Sequence, residues 1–222
     1  MKTIYPKIGI RPTIDGRQGG IREGLEEKTM NLAKAVKNLI ESTLKNGDGT
    51  PVEVSGAARS AGGVPDKNVM GDVAASLSFL RSQVNASGKV GVIGMCSGGR
   101  HTFLAAATLD GIDAAVDCWG GGVVCPPERL SPAQPVAPID LADGIDCPLL
   151  GIFGNEDRSP SPEDVDTTEA VLKEKGKDYE FHRYDGAGHG IWYYDKPMYR
   201  QEQAMDSWNK VLAFFDRHLK ET

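Results

Sequence analysis

Apolar runs of strand length alternate with stretches of helical period along most of the chain, and this alternation restricts it to an α/β architecture built on a parallel sheet. The runs fall at 7–11, 52–55, 89–94, 114–118, 149–153 and 179–184, and the helical stretches at about 23–44, 68–83, 98–108, 161–175 and 200–219. In the first helical stretch Leu25, Met30, Leu32, Val36, Leu39 and Ile40 fall broadly on one face among Glu, Lys and Asn, as a helix covering a sheet requires.

Right-handed crossovers leave few topologies for such a chain. A three-layer open parallel sheet in the flavodoxin-like order 2-1-3-4-5, extended by a sixth strand, fits the element count. The 222 residues, 40% of them hydrophobic, suffice for one generous core and predict a single α/β domain over 1–222. The small, weakly patterned segment 56–63, Gly-Ala-Ala-Arg-Ser-Ala-Gly-Gly, reads as a junction between two halves. A net charge of −6 without long like-charge runs argues against nucleic acid and anionic membrane as partners and favours a small molecule. No apolar stretch approaches the ~20 residues needed to span a bilayer, and the first residues lack the apolar core of a signal peptide, so a cytoplasmic protein, monomeric or weakly dimeric, is expected. The four cysteines, Cys96, Cys118, Cys125 and Cys147, form no CxxC pair and have no histidines nearby at metal-ligand spacing, which predicts reduced thiols and argues against a zinc site and a redox pair.

The chemistry sits after the third run. Val90-Gly91-Val92-Ile93 is followed by Gly94-Met95-Cys96-Ser97-Gly98-Gly99 and then by a helical stretch. That is the strand, sharp turn and helix of a nucleophile elbow, with cysteine in place of the more usual serine. The flanking glycines allow the tight turn, with Gly98 and Gly99 expected to let the helix pack closely. A helix N-terminus at the thiol favours thiolate, and the Ser97 backbone N–H is placed to meet an oxyanion. The fifth run ends in Gly154-Asn155-Glu156-Asp157 and the sixth leads into Asp185-Gly186-Ala187-Gly188-His189-Gly190. The order nucleophile, acid, base is that of a triad carried by loops at the carboxyl ends of parallel strands. Asp157 is the expected acid, Glu156 its nearest rival, and His189 the base. Trp119, Trp192 and Trp208 read as packing residues, with Trp192 a candidate wall of the pocket beside His189.

From about residue 64 to 220 the chain resembles the C-terminal part of the dienelactone hydrolase (carboxymethylenebutenolidase) family of α/β-hydrolases. The resemblance rests on the helix Asp72-Val73-Ala74-Ala75-Ser76-Leu77-Ser78-Phe79-Leu80, the GxCxGG elbow, the Asp157 loop and the Gly-Ala-Gly-His-Gly loop. It implies hydrolysis of a small lactone or ester through a thioester, without metal or organic cofactor. The opening, Pro6-Lys7-Ile8-Gly9-Ile10-Arg11-Pro12-Thr13-Ile14-Asp15-Gly16-Arg17 and then 22–33, is similar to the start of L-fucose isomerase through about Val54. In that family this segment is the first β-α-β of a flavodoxin-like domain, and the metal-binding residues lie in later domains.

Two families meeting near 56–63 suggest a recombined or designed chimera, with isomerase strands in place of the first core strands of a hydrolase. The exchanged loop, Ile10-Arg11-Pro12-Thr13-Ile14-Asp15, lies where an α/β-hydrolase supplies its second oxyanion donor. Pro12 has no N–H, so the donor comes from Arg11, from Thr13 or from nowhere, with Arg11 and Thr13 as candidate neighbours of the site. Tyr193 stands where the resemblance would place an arginine for a substrate carboxylate. Weak or absent hydrolysis of small esters or lactones is the expectation. A full dienelactone hydrolase with an unusual N-terminal half and an inert folding scaffold are the alternatives.

Overall fold

The computed structural model of the chain describes residues 65–82 and 88–220. The chain divides into two units, Met1–Val64 and Pro65–Thr222, and the described residues all lie in the second. The strands expected at 7–11 and 52–55, the helix at 23–44, the junction at 56–63 and the candidate residues Arg11 and Thr13 lie outside the described residues. The single domain expected over 1–222 extends beyond them too.

Helix α1 (Asp66–Arg81) leads to β1 (Gly91–Met95), α2 (Ser97–Thr108) and β2 (Ala114–Cys118). Two 3₁₀ turns, Pro127–Arg129 and Pro138–Gly144, then precede β3 (Leu149–Gly154), α3 (Pro162–Glu174), β4 (Tyr179–Tyr184) and α4 (Gln201–Leu219). The strands are all parallel in the order β1-β2-β3-β4, the order expected of the last four runs. Every residue of β2 and β3 is buried, as central strands of a parallel sheet covered on both faces must be.

Alternation along each strand sends side chains into two separate cores. Ala115 and Leu149 pack with Phe103 and Ala106 of α2, Leu172 of α3 and Leu77 of α1. Ala114, Val116, Leu150 and Ile152 pack on the other face with Val211 and Phe214 of α4. The helices thus form layers on both sides of the sheet, in the manner of an α/β-hydrolase. Among the described residues no helix is long and apolar enough to cross a membrane.

Two local devices fix the ends that matter for the site. Ser161 caps α3 through a full capping box with Asp164, and Pro162 occupies its first turn, which satisfies two otherwise orphaned N–H groups. Arg100, early in α2, makes a bidentate ion pair with Asp66 at the start of α1, at 2.6 and 3.0 Å. The same guanidinium donates to the carbonyls of Gly122 and Val136. With Arg100 and Asp66 both buried, every contact is needed to offset their desolvation, and the cluster ties the loop after β2 to the elbow helix.

Candidate active site

Three of the four strands lead into the candidate residues: Cys96 directly after β1, and Asp157 and His189 in the loops after β3 and β4. Cys96 directly follows β1 with φ 58° and ψ −124°, a conformation that costs a side-chain-bearing residue energy and is retained where function demands it. The elbow is locked by close backbone approach. A Cβ at Gly94 would overlap the carbonyl of Gly98, and one at Gly99 would overlap the Asp117 carboxylate and approach Gly120 Cα to 2.8 Å. Gly98 itself opens onto free space, so the close packing expected of both glycines is carried by Gly99, with Gly94 completing the turn. The Cys96 N–H donates to the Cys118 carbonyl at 3.0 Å, extending the β1–β2 ladder and bringing the end of β2 beside the thiol. Ser97 is the first residue of α2 and is exposed.

Asp157 and His189 meet from two different loops. His189 Nδ1 donates to Asp157 Oδ2 at 2.8 Å, while Asp157 Oδ1 accepts from the Ser159 N–H at 2.9 Å. The Asp157 side chain is only 3% exposed and that of His189 36%, so the carboxylate is sealed and the imidazole is open on one edge. Cys96 lies close enough to the imidazole to add to the rise of its pKa, and with Nδ1 committed to Asp157 the nitrogen left to face the thiol is Nε2. The hydrogen bond to Asp157 raises the His189 pKa to about 9 against the opposing effect of partial burial, with Cys96 adding to the rise. Glu156, the rival acid, is exposed, and its backbone N–H is spent on the Ala187 carbonyl.

The loop carrying His189 is pinned from both sides. Asn155 Nδ2 donates to Asp185 Oδ1 at 2.6 Å, and Arg200 Nε donates to the Gly186 carbonyl at 2.8 Å. The other thiols are of a different kind. Burial pushes Cys118 well up and Cys147 up to about 11, which keeps both as inert thiols. Among the described residues no group of three or more His, Cys, Asp or Glu is placed to hold a metal.

An aromatic cluster adjoins this arrangement, and sequence reasoning placed only Trp192 and Tyr193 of it near the site. Trp119, fully buried and with φ 44°, packs edge-on against His189 at 6.4 Å, Trp192 at 4.9 Å and Tyr193 at 6.2 Å between ring centroids. Trp192 in turn stacks on Trp208 at 4.3 Å and 9°. A signal for Trp119 existed: it follows the strand expected to neighbour the elbow strand.

The comparisons with known proteins match two stretches of the chain, which overlap over 52–78. Residues 5–78 match the first N-terminal domain of L-fucose isomerase. The Bacteroides fragilis (strain NCTC 9343) L-fucose isomerase is 88% identical over 49 residues, 22% of this chain and 8% of that protein. A provisionally named carboxymethylenebutenolidase of Methylorubrum extorquens is 33% identical over 156 residues, 70% of this chain and 52% of that protein. The chain thus spans about half the length of the curated hydrolase relatives it matches and a small part of the isomerases. In structure it resembles a provisionally named dienelactone hydrolase from Klebsiella pneumoniae, with a TM-score of 0.67 at 24% identity over 90% of this chain and 83% of that one. It also resembles the Pyrococcus horikoshii acylaminoacyl peptidase, with a TM-score of 0.58 at 21% identity over 72% and 29%. With residues 52–219 matching its profile, the chain belongs to the dienelactone hydrolase family.

Proposed function

We propose that this chain is a cysteine-dependent hydrolase of small esters or lactones, slow because its N-terminal sequence is that of another protein family. The observation that carries the reading is the connected set of Cys96 on a strained elbow, His189 beside it and buried Asp157 behind. The Cys96 thiolate adds to the substrate carbonyl carbon, and the oxyanion that forms is met by the Ser97 N–H at the start of α2. The tetrahedral species collapses with cleavage of the C–O bond, and the leaving alkoxide takes the proton held at His189 Nε2. Water, deprotonated by the now neutral imidazole, attacks the thioester, and loss of the carboxylic acid restores the thiolate.

The slow rate follows from the composition of the chain. The 88% identity of 49 residues to an isomerase, beside 33% for the hydrolase part, supports a recombined origin. The stretch of sequence expected to carry the second oxyanion donor of such hydrolases, 10–15, is then isomerase-like. Lack of one such donor lowers turnover by ~10²–10³.

The test is hydrolysis of p-nitrophenyl acetate by the full chain and by Cys96→Ala at equal concentration, with folds matched by circular dichroism. A Cys96-dependent rate, falling to the buffer background in the variant, is expected. Equal rates would leave a family fold without its chemistry.

A further inference from the structure

The geometry points to a leaving-group subsite: we propose that Tyr193, Met198 and Trp192, backed by Trp119 and Trp208, select esters of flat, uncharged aromatic alcohols. The subsite rests on the hydrolase reading and adds its substrate class.

The position follows from the chemistry of acylation. The acyl carbon is bonded to the Cys96 sulfur while the leaving oxygen takes its proton from His189, so the substituent on that oxygen lies on the His189 side. The leaving group therefore meets the segment of chain immediately after His189. Gly190, at φ 77°, lies directly beneath the Tyr193 ring and the Met198 side chain. A Cβ there would come within 2.5 Å of Tyr193 Cδ2, 2.6 Å of Cε2 and 3.5 Å of Met198 Cγ. Met198 is 39% exposed and Trp208 42%, while Trp192 and Tyr193 are half-buried, so the rim is open where the cluster beneath it is closed.

The wall is rigid as well as aromatic. Trp192 Nε1 donates to Ser207 Oγ at 2.8 Å, which fixes the ring that stacks on Trp208. Trp119 is held in a left-handed conformation by its own N–H, which donates to the Ile152 carbonyl, and by the following Gly120 N–H, which donates to Asp117 Oδ1 at 2.8 Å. A strained bulky residue beside a base is the kind of outlier that accompanies ligand contact. Rigid π faces and a thioether suit another flat ring. On this loop Arg200 directs Nε and Nη1 to the carbonyls of Gly186, Pro197 and Tyr199 and Lys196 pairs with Asp195 at 3.1 Å, so the rim is matched to an uncharged group.

The test compares kcat/KM of the full chain on benzyl acetate and cyclohexylmethyl acetate, leaving groups of similar size that differ in flatness, after division by the hydroxide-catalysed rates. A preference for benzyl of about 3–10-fold is expected. Tyr193→Leu should bring the ratio close to one and Tyr193→Phe should keep it, while the ratio of benzyl acetate to benzyl butyrate stays as in the parent. Equal rates for the two acetates in the parent, or a Tyr193→Leu effect on the acyl ratio alone, would overturn the subsite. So would a preference for a carboxylated benzyl ester, which would assign recognition to a cation. Should no ester be hydrolysed, tryptophan-fluorescence titration with benzyl alcohol and cyclohexylmethanol decides separately. Tighter binding of the aromatic alcohol, lost in Tyr193→Leu, supports the subsite while the hydrolase reading falls; indifference overturns both.

Discussion

Asp157→Asn should lower Cys96-dependent ester hydrolysis by about 10⁴-fold without unfolding the protein. Asp157 Oδ1 takes the Ser159 N–H and Oδ2 takes His189 Nδ1–H. An asparagine that keeps its carbonyl oxygen on Ser159 turns an NH₂ donor toward Nδ1. The imidazole must then accept at Nδ1 and carry its proton on Nε2 when neutral, the wrong tautomer for a base that activates water. The pH dependence gives the change a signature. His189 titrates at about 9 chiefly because of Asp157, so the imidazolium that protonates the leaving group persists through neutral pH and is lost as pH rises through about 9. Its contribution to stability has the same sense, being complete below the ordinary histidine value of 6.5 and lost above about 9. In the asparagine variant the alkaline limb of the residual acylation rate should move down toward 6.5. A pH–rate profile of thioester formation reads the shift directly; an unmoved limb would show that another group sets it.

The second large effect concerns stability. Asp117 lies fully within the sheet, 2% exposed, and burial raises its pKa from 3.8 to about 7 against the lowering effect of the Gly120 N–H. Protonated in both states, the group costs nothing below about pH 4. The unfolded chain ionises first, so stability falls as pH rises from about 4 to about 7 and stays reduced above. A shift of this size corresponds to about 4 kcal/mol. Asp117→Asn keeps an oxygen for the Gly120 N–H and cannot ionise. It should melt well above the parent at pH 8 and close to it at pH 4. Paired thermal melts at the two pH values check this, and a variant equally destabilised at both would mean that the carboxylate makes a contact the amide cannot replace.

The parts legible in the sequence are those that local chemistry dictates. The elbow needs glycine at close backbone approaches and a helix directly after the nucleophile, so the turn 94–99 is legible, while which of Gly98 and Gly99 makes the close approach depends on the end of β2. β2 and β4 fall at 114–118 and 179–184 as their apolar and β-branched or aromatic content predicts. The helices begin and end within two residues of expectation, α1 starting earlier because Asp66 is drawn to Arg100. That ion pair, 34 positions apart in sequence, has no local signature. The stretch between β2 and β3 is equally opaque. Its 3₁₀ turns begin at Pro127 and Pro138, a first-turn proline signal that exists, but their place against α2 depends on packing. The aromatic rim arises because loops after β2 and β4 converge with α4, and only the folded sheet brings Trp119, Trp192 and Trp208 together.

The mechanism stands or falls on Cys96 as a nucleophile made active by His189 and Asp157. Peptide-level mass spectrometry of the full chain, quenched in acid during turnover of p-nitrophenyl acetate, reads this without an intermediate assumption. An acetyl group is expected on the peptide containing Cys96, labile to hydroxylamine as a thioester and absent from His189→Ala. Acetylation of Ser97 or of surface lysines alone, or a Cys96 adduct of equal yield in His189→Ala, would refute the mechanism.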